Sequence, residues 1–500
     1  MRLVIYAFPL AFALTANASI AVSDDGTIPM SEIEKVDRGG SGLNSIITLN
    51  PDRQAIAAKL ELERVAGKMR SPIHGRTLLI KDNIETADNM ATTAGSLALT
   101  NNVTRRDAPL VARLRAAGAL ILGKANMSEW ANIRSSHSMS GWSAVGSIVR
   151  NPYALDRTAC GSSSGSGAAV AAGLAWAAIG TETDGSIVCP SSMNGIVGLK
   201  PTVGLVSRTH VVPISHSQDT PGPMARTVRD AAMVLTVISG SDAADPETAS
   251  ADRFKRDYAS ALTGSVKELR IGVLRDAIGN QPATQALFET ALQKLRSAGA
   301  VLVDIPKTGV PDNLGEDESL VLLTEFKAGL NRYLANLPET TMPRTLADVI
   351  AFNNKQIETE LTLFGQDTFI AAEATKGLAD PKYLQALAKS RDGARVTIQK
   401  LLTDNRVAVL VQPTNGPAWL SDPVNGDQDS GPSASQLPAI SGFPHLTVPM
   451  GQVEGLPVGL SFIGPAWSEA LLLNAGDAYE RLRGSFPPPR FRPHAAAKFR

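Results

Sequence analysis

Serine hydroxyls, and the glycines that let backbone donors gather round them, are concentrated in one stretch of this chain. Cys160-Gly161-Ser162-Ser163-Ser164-Gly165-Ser166-Gly167 opens it and an alanine-rich segment runs to Ala178. Gly180-Thr181-Glu182-Thr183-Asp184-Gly185-Ser186 follows, then Gly195-Ile196-Val197-Gly198-Leu199-Lys200-Pro201-Thr202. Glycine allows N–H groups to converge where a Cβ would intrude. A serine hydroxyl becomes a nucleophile once a neighbouring base takes its proton.

Three chemistries compete for such a stretch. A Gly/Ser turn before a helix binds phosphate, but the Gly-Lys-Ser/Thr of a P-loop is absent, and Val170 stands where a dinucleotide fingerprint needs Gly or Ala. Gly161-Ser162-Ser163-Ser164-Gly165 matches a nucleophile elbow with Ser163 at its centre. That motif needs a strand just upstream, where Asn151-Pro152-Tyr153-Ala154-Leu155-Asp156-Arg157 is polar and carries a proline. It also needs a downstream histidine, for which His445 is the candidate, although a lone histidine before an apolar run is more often a structural hydrogen-bonder. The third chemistry pairs serines with a lysine that burial keeps neutral. Lys81 fits, because it ends the apolar run Thr77-Leu78-Leu79-Ile80.

The motifs together resemble the amidase signature family. The match rests on Gly161-Ser162-Ser163 with Gly165, on Gly180-Thr181-x-Thr183-x-Gly185-Ser186-Ile187 and on Gly195 to Thr202. Leu79-Ile80-Lys81-Asp82-Asn83-Ile84, Gly123-Lys124-Ala125-Asn126-Met127-Ser128-Glu129 and Gly455-Leu456-Pro457-Val458-Gly459-Leu460 with Ile463-Gly464 extend it across most of the chain. The resemblance implies a Ser–cis-Ser–Lys triad, with Ser186 as nucleophile, Ser162 (24 positions earlier) as the bridging cis-serine and Lys81 as base. It implies an oxyanion site on the backbone of Thr183, Asp184, Gly185 and Ser186, and places Ala131 and Asn132 near the substrate amide. Lys200 is then structural, and His137 and Trp142 are loop-packing groups, either of which could line the peptide channel. Departures from the usual family pattern are Cys160 and Ser164 in place of glycines, Glu182 for Asp, Asp184 for Gly, and Val188 for Arg. This variant, with Ala131-Asn132-x-Arg134-Ser135-Ser136 and Ser140-Gly141-Trp142-Ser143, is similar to the peptide amidase branch, whose members remove C-terminal amides from peptides. The implied partner is a small peptide or carboxamide. A broader aryl- or acyl-amide hydrolase is the runner-up. The transamidation subunit of the aminoacyl-tRNA pathway is also similar, and a catalytically inactive binding protein is a third possibility.

Elements that must position these groups can be read from periodicity. Helices are expected over Gln54–Met69, Ala108–Ala117, Thr227–Ile238, Gln285–Ala298 and Ser468–Leu482. Strands are expected at Thr77–Ile80, Ala119–Gly123, Leu269–Leu274, Ala300–Val303, Val407–Val411, Leu446–Met450 and Val458–Ile463. The alternation argues for an α/β fold: a mixed, twisted central sheet with helices on both faces. One domain is expected over residues 54–500, after a loosely ordered lead-in over 19–53. Within it, a helical insertion at about 312–395 is broken at Pro338, Pro343 and Pro381. Gly416 to Pro438 reads as a mobile surface loop.

Bulk properties exclude several classes. Charged residues make up 19% and hydrophobic ones 43%, so the chain is not largely disordered. Lys+Arg and Asp+Glu are both 48, which gives no electrostatic reason to expect nucleic acid or an anionic membrane as partner. The six histidines show no His-Glu-x-x-His spacing and the two cysteines no Cys-x-x-Cys pair, so neither metal nor cofactor is expected. Arg2, the apolar run Leu3 to Leu14 and Ala16-Asn17-Ala18 read as a signal peptide over residues 1–18, hence a periplasmic or secreted protein. That compartment would permit a Cys160–Cys189 bridge; two buried thiols are the simpler expectation.

Overall fold

The computed structural model describes residues 30–338, 343–429 and 431–495, so the expected signal peptide lies outside the described residues. In chain order its strands are β1 (Ile46–Leu49), β2 (Thr77–Lys81), β3 (Leu120–Ala125), β4 (Arg150–Asn151), β5 (Ala154–Thr158), β6 (Ala177–Glu182), β7 (Val197–Lys200), β8 (Thr220–Ala225), β9 (Arg270–Leu274), β10 (Val301–Ile305), β11 (Val409–Pro413), β12 (His445–Val453) and β13 (Leu456–Ile463). Eleven of them form one mixed sheet in the order β1-β3-β2-β6-β8-β7-β12-β13-β11-β9-β10; β4 and β5 make a separate ribbon. β3, β2 and β6 run parallel, as do β11, β9 and β10, while the strands between them pair antiparallel.

Runs that are apolar throughout need cover on both faces, and successive side chains of a strand point to opposite sides. Leu78, Ile80, Ile121, Ala177 and Ile179 accordingly enter one core. There they meet Leu110 and Leu114 of helix Pro109–Ala116, Leu235 of Val228–Ile238, Phe288 of Pro282–Ser297 and Leu472 of Glu469–Arg483. Leu79, Leu122 and Ala178 enter the other, against Ala169 and Val170 of helix Ser164–Ala171. The sheet is therefore flanked by helices on both faces, as the alternation predicts.

Three expectations change. The stretch before residue 54 is built into the fold from Met30 onward: β1 pairs with β3, and the buried Asp37 carboxylate accepts the Ser45 and Ile46 N–H groups at 2.7 and 3.2 Å. Side-chain-to-backbone bonds hold this segment, so it shows no hydrophobic period. Pro381 does not break a helix but opens one, Pro381–Asp404, where the missing N–H is no loss. The segment Gly416 to Pro438 is irregular yet anchored. Asp427 accepts from Ser140 N, Ser140 Oγ and Trp419 Nε1 at 2.7–3.1 Å, and Pro438 lies in helix Gln436–Ser441.

The helical insertion includes Leu314–Ala335, Leu346–Lys355 and Asp367–Glu373. Phe326, Leu330, Leu334, Val349 and Phe369 from these helices share one core cluster with Trp130, whose ring meets Phe369 edge-on. The insertion thus bears directly on the turn that carries Ala131 and Asn132.

Candidate active site

Because the rest of β2 is apolar and buried, its last side chain is carried into the interior, and Lys81 is fully buried. Its Nζ lies 2.7 Å from Ser162 Oγ and donates to Thr181 O at 3.1 Å and Thr181 Oγ1 at 2.8 Å. Asn83 Nδ2 donates to the same Thr181 hydroxyl at 3.0 Å, which fills its acceptor positions. Burial disfavours the ammonium and brings the Lys81 pKa down to about 7, against the opposing pull of the Asp219 and Glu182 carboxylates. A neutral amine has two N–H groups and one lone pair. With both N–H groups taken by Thr181, the lone pair faces the Ser162 hydroxyl.

The Gly161–Ser162 peptide is cis. Ser128 N donates to the Ser162 carbonyl at 3.1 Å. A Cβ at Gly161 would fall 2.2 Å from Ser128 Oγ, so only glycine fits there. Ser163 is engaged differently. Its hydroxyl donates to Thr181 O and accepts from Thr181 N, both at 3.2 Å, and its own N–H donates to Ser186 O at 3.2 Å. It ties β6 to both serine segments. His445, the base that an elbow at Ser163 would require, is buried in β12 with Nε2 2.6 Å from Ser461 Oγ. Burial and Lys200 push its pKa down to about 3. The strand upstream, β5, pairs with β4 in a ribbon separate from the main sheet. The elbow reading therefore has neither its strand nor its histidine.

Ser186 follows Gly185, whose φ of +80° suits glycine. The turn is closed by the buried Glu182 carboxylate, which accepts the N–H groups of Ile187 (2.7 Å) and Val188 (3.0 Å). Glu182 and Val188, two of the departures from the family pattern, thus meet through the backbone at the start of helix Val188–Met193. Among the described residues no protein acceptor takes the N–H of Asp184, Gly185 or Ser186. Thr183 is held at two points: Oγ1 donates to Asp219 at 2.6 Å, and its carbonyl accepts from Gln218 Nε2 at 3.3 Å. Burial raises the Asp184 carboxyl above the usual range, against a hydrogen bond from Ser435 and the charge of Lys200. Lys200 is itself buried, with Nζ donating to Pro201 O at 3.2 Å.

Trp130, Ala131 and Asn132 all have positive φ (48°, 55° and 73°), an uncommon run for residues with a Cβ. The packed Trp130 ring and the Glu129–Arg134 ion pair pin both ends of it. Ala131 lines one pocket with Ser162, Thr181 and Thr183. Asn132 Nδ2 instead donates to Ser140 Oγ at 2.9 Å, which joins it to Asp427 and the 416–438 segment. Trp142 packs edge-on against Phe364, and His137 borders the same loop through Gly426. Cys160 and Cys189 are not free thiols; they form a disulfide with Cα atoms 6.0 Å apart. The cysteines belong to the segments that carry Ser162 and Ser186, and the fold brings those segments together. Thr181, Gln218, Asp219, Glu318 and Asp427 also shape the site and were not predicted. Only Thr181 lay in a quoted motif; Gln218, Asp219 and Glu318 are single polar residues in unremarkable sequence, and Asp427 lies in the segment read as a mobile loop.

The chain matches known proteins over most of its length. The sequence model of the Amidase family matches residues 31–473. The chain is similar to the native peptide amidase of Stenotrophomonas maltophilia (49% identity, TM-score 0.88, 92% of this chain and 93% of that one). It is also similar to a probable amidase of Arabidopsis thaliana (39% identity over 470 residues, 92% and 87%). A glutamyl-tRNA(Gln) amidotransferase subunit from Roseiflexus castenholzii matches at 38% identity over 456 residues, 86% of each chain. With its eleven-stranded mixed sheet and a match over nearly its whole described length, the chain belongs to the amidase signature family of amide-hydrolysing enzymes.

Proposed function

We propose that the enzyme releases ammonia from the C-terminal amide of peptides through an acyl-enzyme on Ser186, with Ser162 as proton relay and Lys81 as base. The observation that carries this reading is the 2.7 Å contact of a fully buried Lys81 amine with Ser162 Oγ. Neutral Lys81 accepts the Ser162 proton as Ser162 accepts the Ser186 proton, and Ser186 Oγ attacks the amide carbonyl. The oxyanion is received by the backbone N–H groups of the Thr183–Ser186 turn, of which those of Asp184, Gly185 and Ser186 have no protein acceptor among the described residues. The proton then passes back through Ser162 to the departing nitrogen, the C–N bond breaks, and ammonia leaves. Water, deprotonated by the same relay, cleaves the ester to the free acid and restores Ser186.

Likeness over 92% of the chain to a peptide amidase supports peptides as the acyl component. The test is to supply one peptide as its C-terminal amide and as its free acid, alongside a fatty amide and an aryl amide. Ammonia from the peptide amide, with no internal cleavage of either peptide, is expected. Faster turnover of the fatty or aryl amide would overturn the peptide preference and favour the broader hydrolase. We also propose a periplasmic or secreted location, which the Cys160–Cys189 bridge supports. Mature protein that begins at Ser19 would agree; retention of Met1 in the cytoplasm would not.

A further inference from the structure

The helical insertion reaches the turn before Ser186 through Glu318. Glu318, on helix Leu314–Ala335, is 6% exposed, and Gln218 is 2% exposed. Gln218 Nε2 donates both to Glu318 Oε1 at 2.9 Å and to the Thr183 carbonyl at 3.3 Å. Gln436 Nε2 donates to the other Glu318 oxygen at 3.1 Å. Gln436 adjoins Ser435, whose Oγ would lie 3.1 Å from a Cβ placed on Gly185. Glu318 thus holds, through the buried Gln218 amide and the half-buried Gln436 amide, both sides of the turn that precedes Ser186.

We propose that Gln218 and Glu318 are positioning residues that aim the Asp184 N–H at the reacting carbonyl oxygen; this rests on Ser186 being the nucleophile and its turn the oxyanion site. The Thr183–Asp184 peptide is trans, and the C=O and N–H of a trans peptide point in opposite directions. Fixing the Thr183 carbonyl on Gln218 therefore fixes the Asp184 N–H on the opposite side. Glu318 in turn fixes Gln218: the Gln218 amide N–H groups are divided between Glu318 and Thr183, so the side chain cannot turn away without leaving a buried carboxyl oxygen unpaired. Burial and the nearby Asp184 raise the Glu318 pKa to about 8. At neutral pH the group is accordingly mostly protonated and adds little negative charge where the oxyanion forms.

The test measures kcat and KM for a peptide amide in Gln218→Met, Glu318→Met, the double variant and Glu318→Gln, with unfolding midpoints. Loss of an aimed oxyanion donor should lower kcat about 10- to 100-fold in each Met variant, with KM changed by less than about twofold. The double variant should fall no more than about threefold below the worse single one, because both act through one chain of contacts. Glu318→Gln, neutral and of the same shape, should keep kcat within about threefold of the parent. If Gln218→Met does not fold, Gln218→Asn, which shortens the reach to Thr183, is read in its place. A kcat unchanged by Gln218→Met, losses that multiply in the double variant, or a loss seen only in KM would overturn the assignment. Labelling of the parent with a fluorophosphonate separates the two levels. Adduct on Ser186 with normal Gln218→Met kinetics removes only the positioning role, whereas no adduct on Ser186 removes the catalytic reading and this proposal with it.

Discussion

Acidification should disable the enzyme through Lys81, and the size of the effect follows from its surroundings. An exposed lysine, with a pKa near 10.4, would be neutral in only about 0.04% of molecules at pH 7. Burial brings Lys81 to about 7, so about half of the molecules carry a free amine at that pH, about one in ten at pH 6 and about one in a hundred at pH 5. The pH dependence of kcat/KM, which reports the free enzyme, should rise with unit slope and bend near pH 7. Chromatographic measurement of the peptide acid formed keeps the detection step independent of pH. Glu318→Gln and Lys200→Met should leave this limb in place, because neither side chain has a hydrogen bond to Ser162. Stability supplies a second readout. The folded state binds fewer protons at Lys81 than the unfolded chain does between about pH 7 and 10.5, so that site's contribution to stability rises with pH across this window. Lys81→Met should therefore be inactive yet more stable than the parent below pH 7, with an advantage that shrinks towards pH 10.5. A rate constant flat from pH 8 to pH 5, or a limb near pH 10, would refute the assignment of Lys81 as a base held neutral by burial.

Other perturbations probe the neighbouring parts. Ser162→Ala should cost several orders of magnitude in kcat, because the relay acts as a unit with its base. Ser163→Ala should retain substantial activity and instead lower the unfolding midpoint, since its hydroxyl serves the Thr181 backbone; the two rates, measured side by side, check this. Replacing both cysteines by serine opens a loop of sequence separation 29, for which chain entropy predicts a loss of about 3.5 kcal/mol. Over a chain of this size that lowers the midpoint by about 3–4 °C in calorimetry. Asp427→Ala removes the acceptor shared by Ser140 and Trp419. It should raise KM about 3- to 10-fold with a smaller change in kcat, as Asn132 loses its anchored partner.

The residues proposed to act in catalysis could be singled out from sequence because they lie in short motifs with fixed spacing. An apolar strand ending in lysine already says that Lys81 will be buried, and the alternation of strands with helices already says that helices will cover both faces of a sheet. What stayed hidden depends on approach in space. The cysteine pairing requires the cis-serine loop and the helix after Ser186 to meet, which no local pattern records. Gln218 and Glu318 are 100 residues apart, and each is an ordinary polar side chain until the insertion folds back on the sheet. The segment around Asp427 is rich in Gly, Pro, Asp and Ser, as mobile loops are, yet the carboxylate that makes it look mobile is the group that fastens it down. The start of the fold was hidden for a related reason, since Asp37 holds its segment by accepting backbone N–H groups.

Covalent labelling tests the central claim most directly. The enzyme is treated with a fluorophosphonate, digested, and the modified residue identified by mass spectrometry. A single adduct on Ser186, formed more slowly as the pH falls below 7 and absent from Ser186→Ala, is the predicted result. An adduct on Ser163 or Ser162, or undiminished labelling of Ser186→Ala, would contradict it.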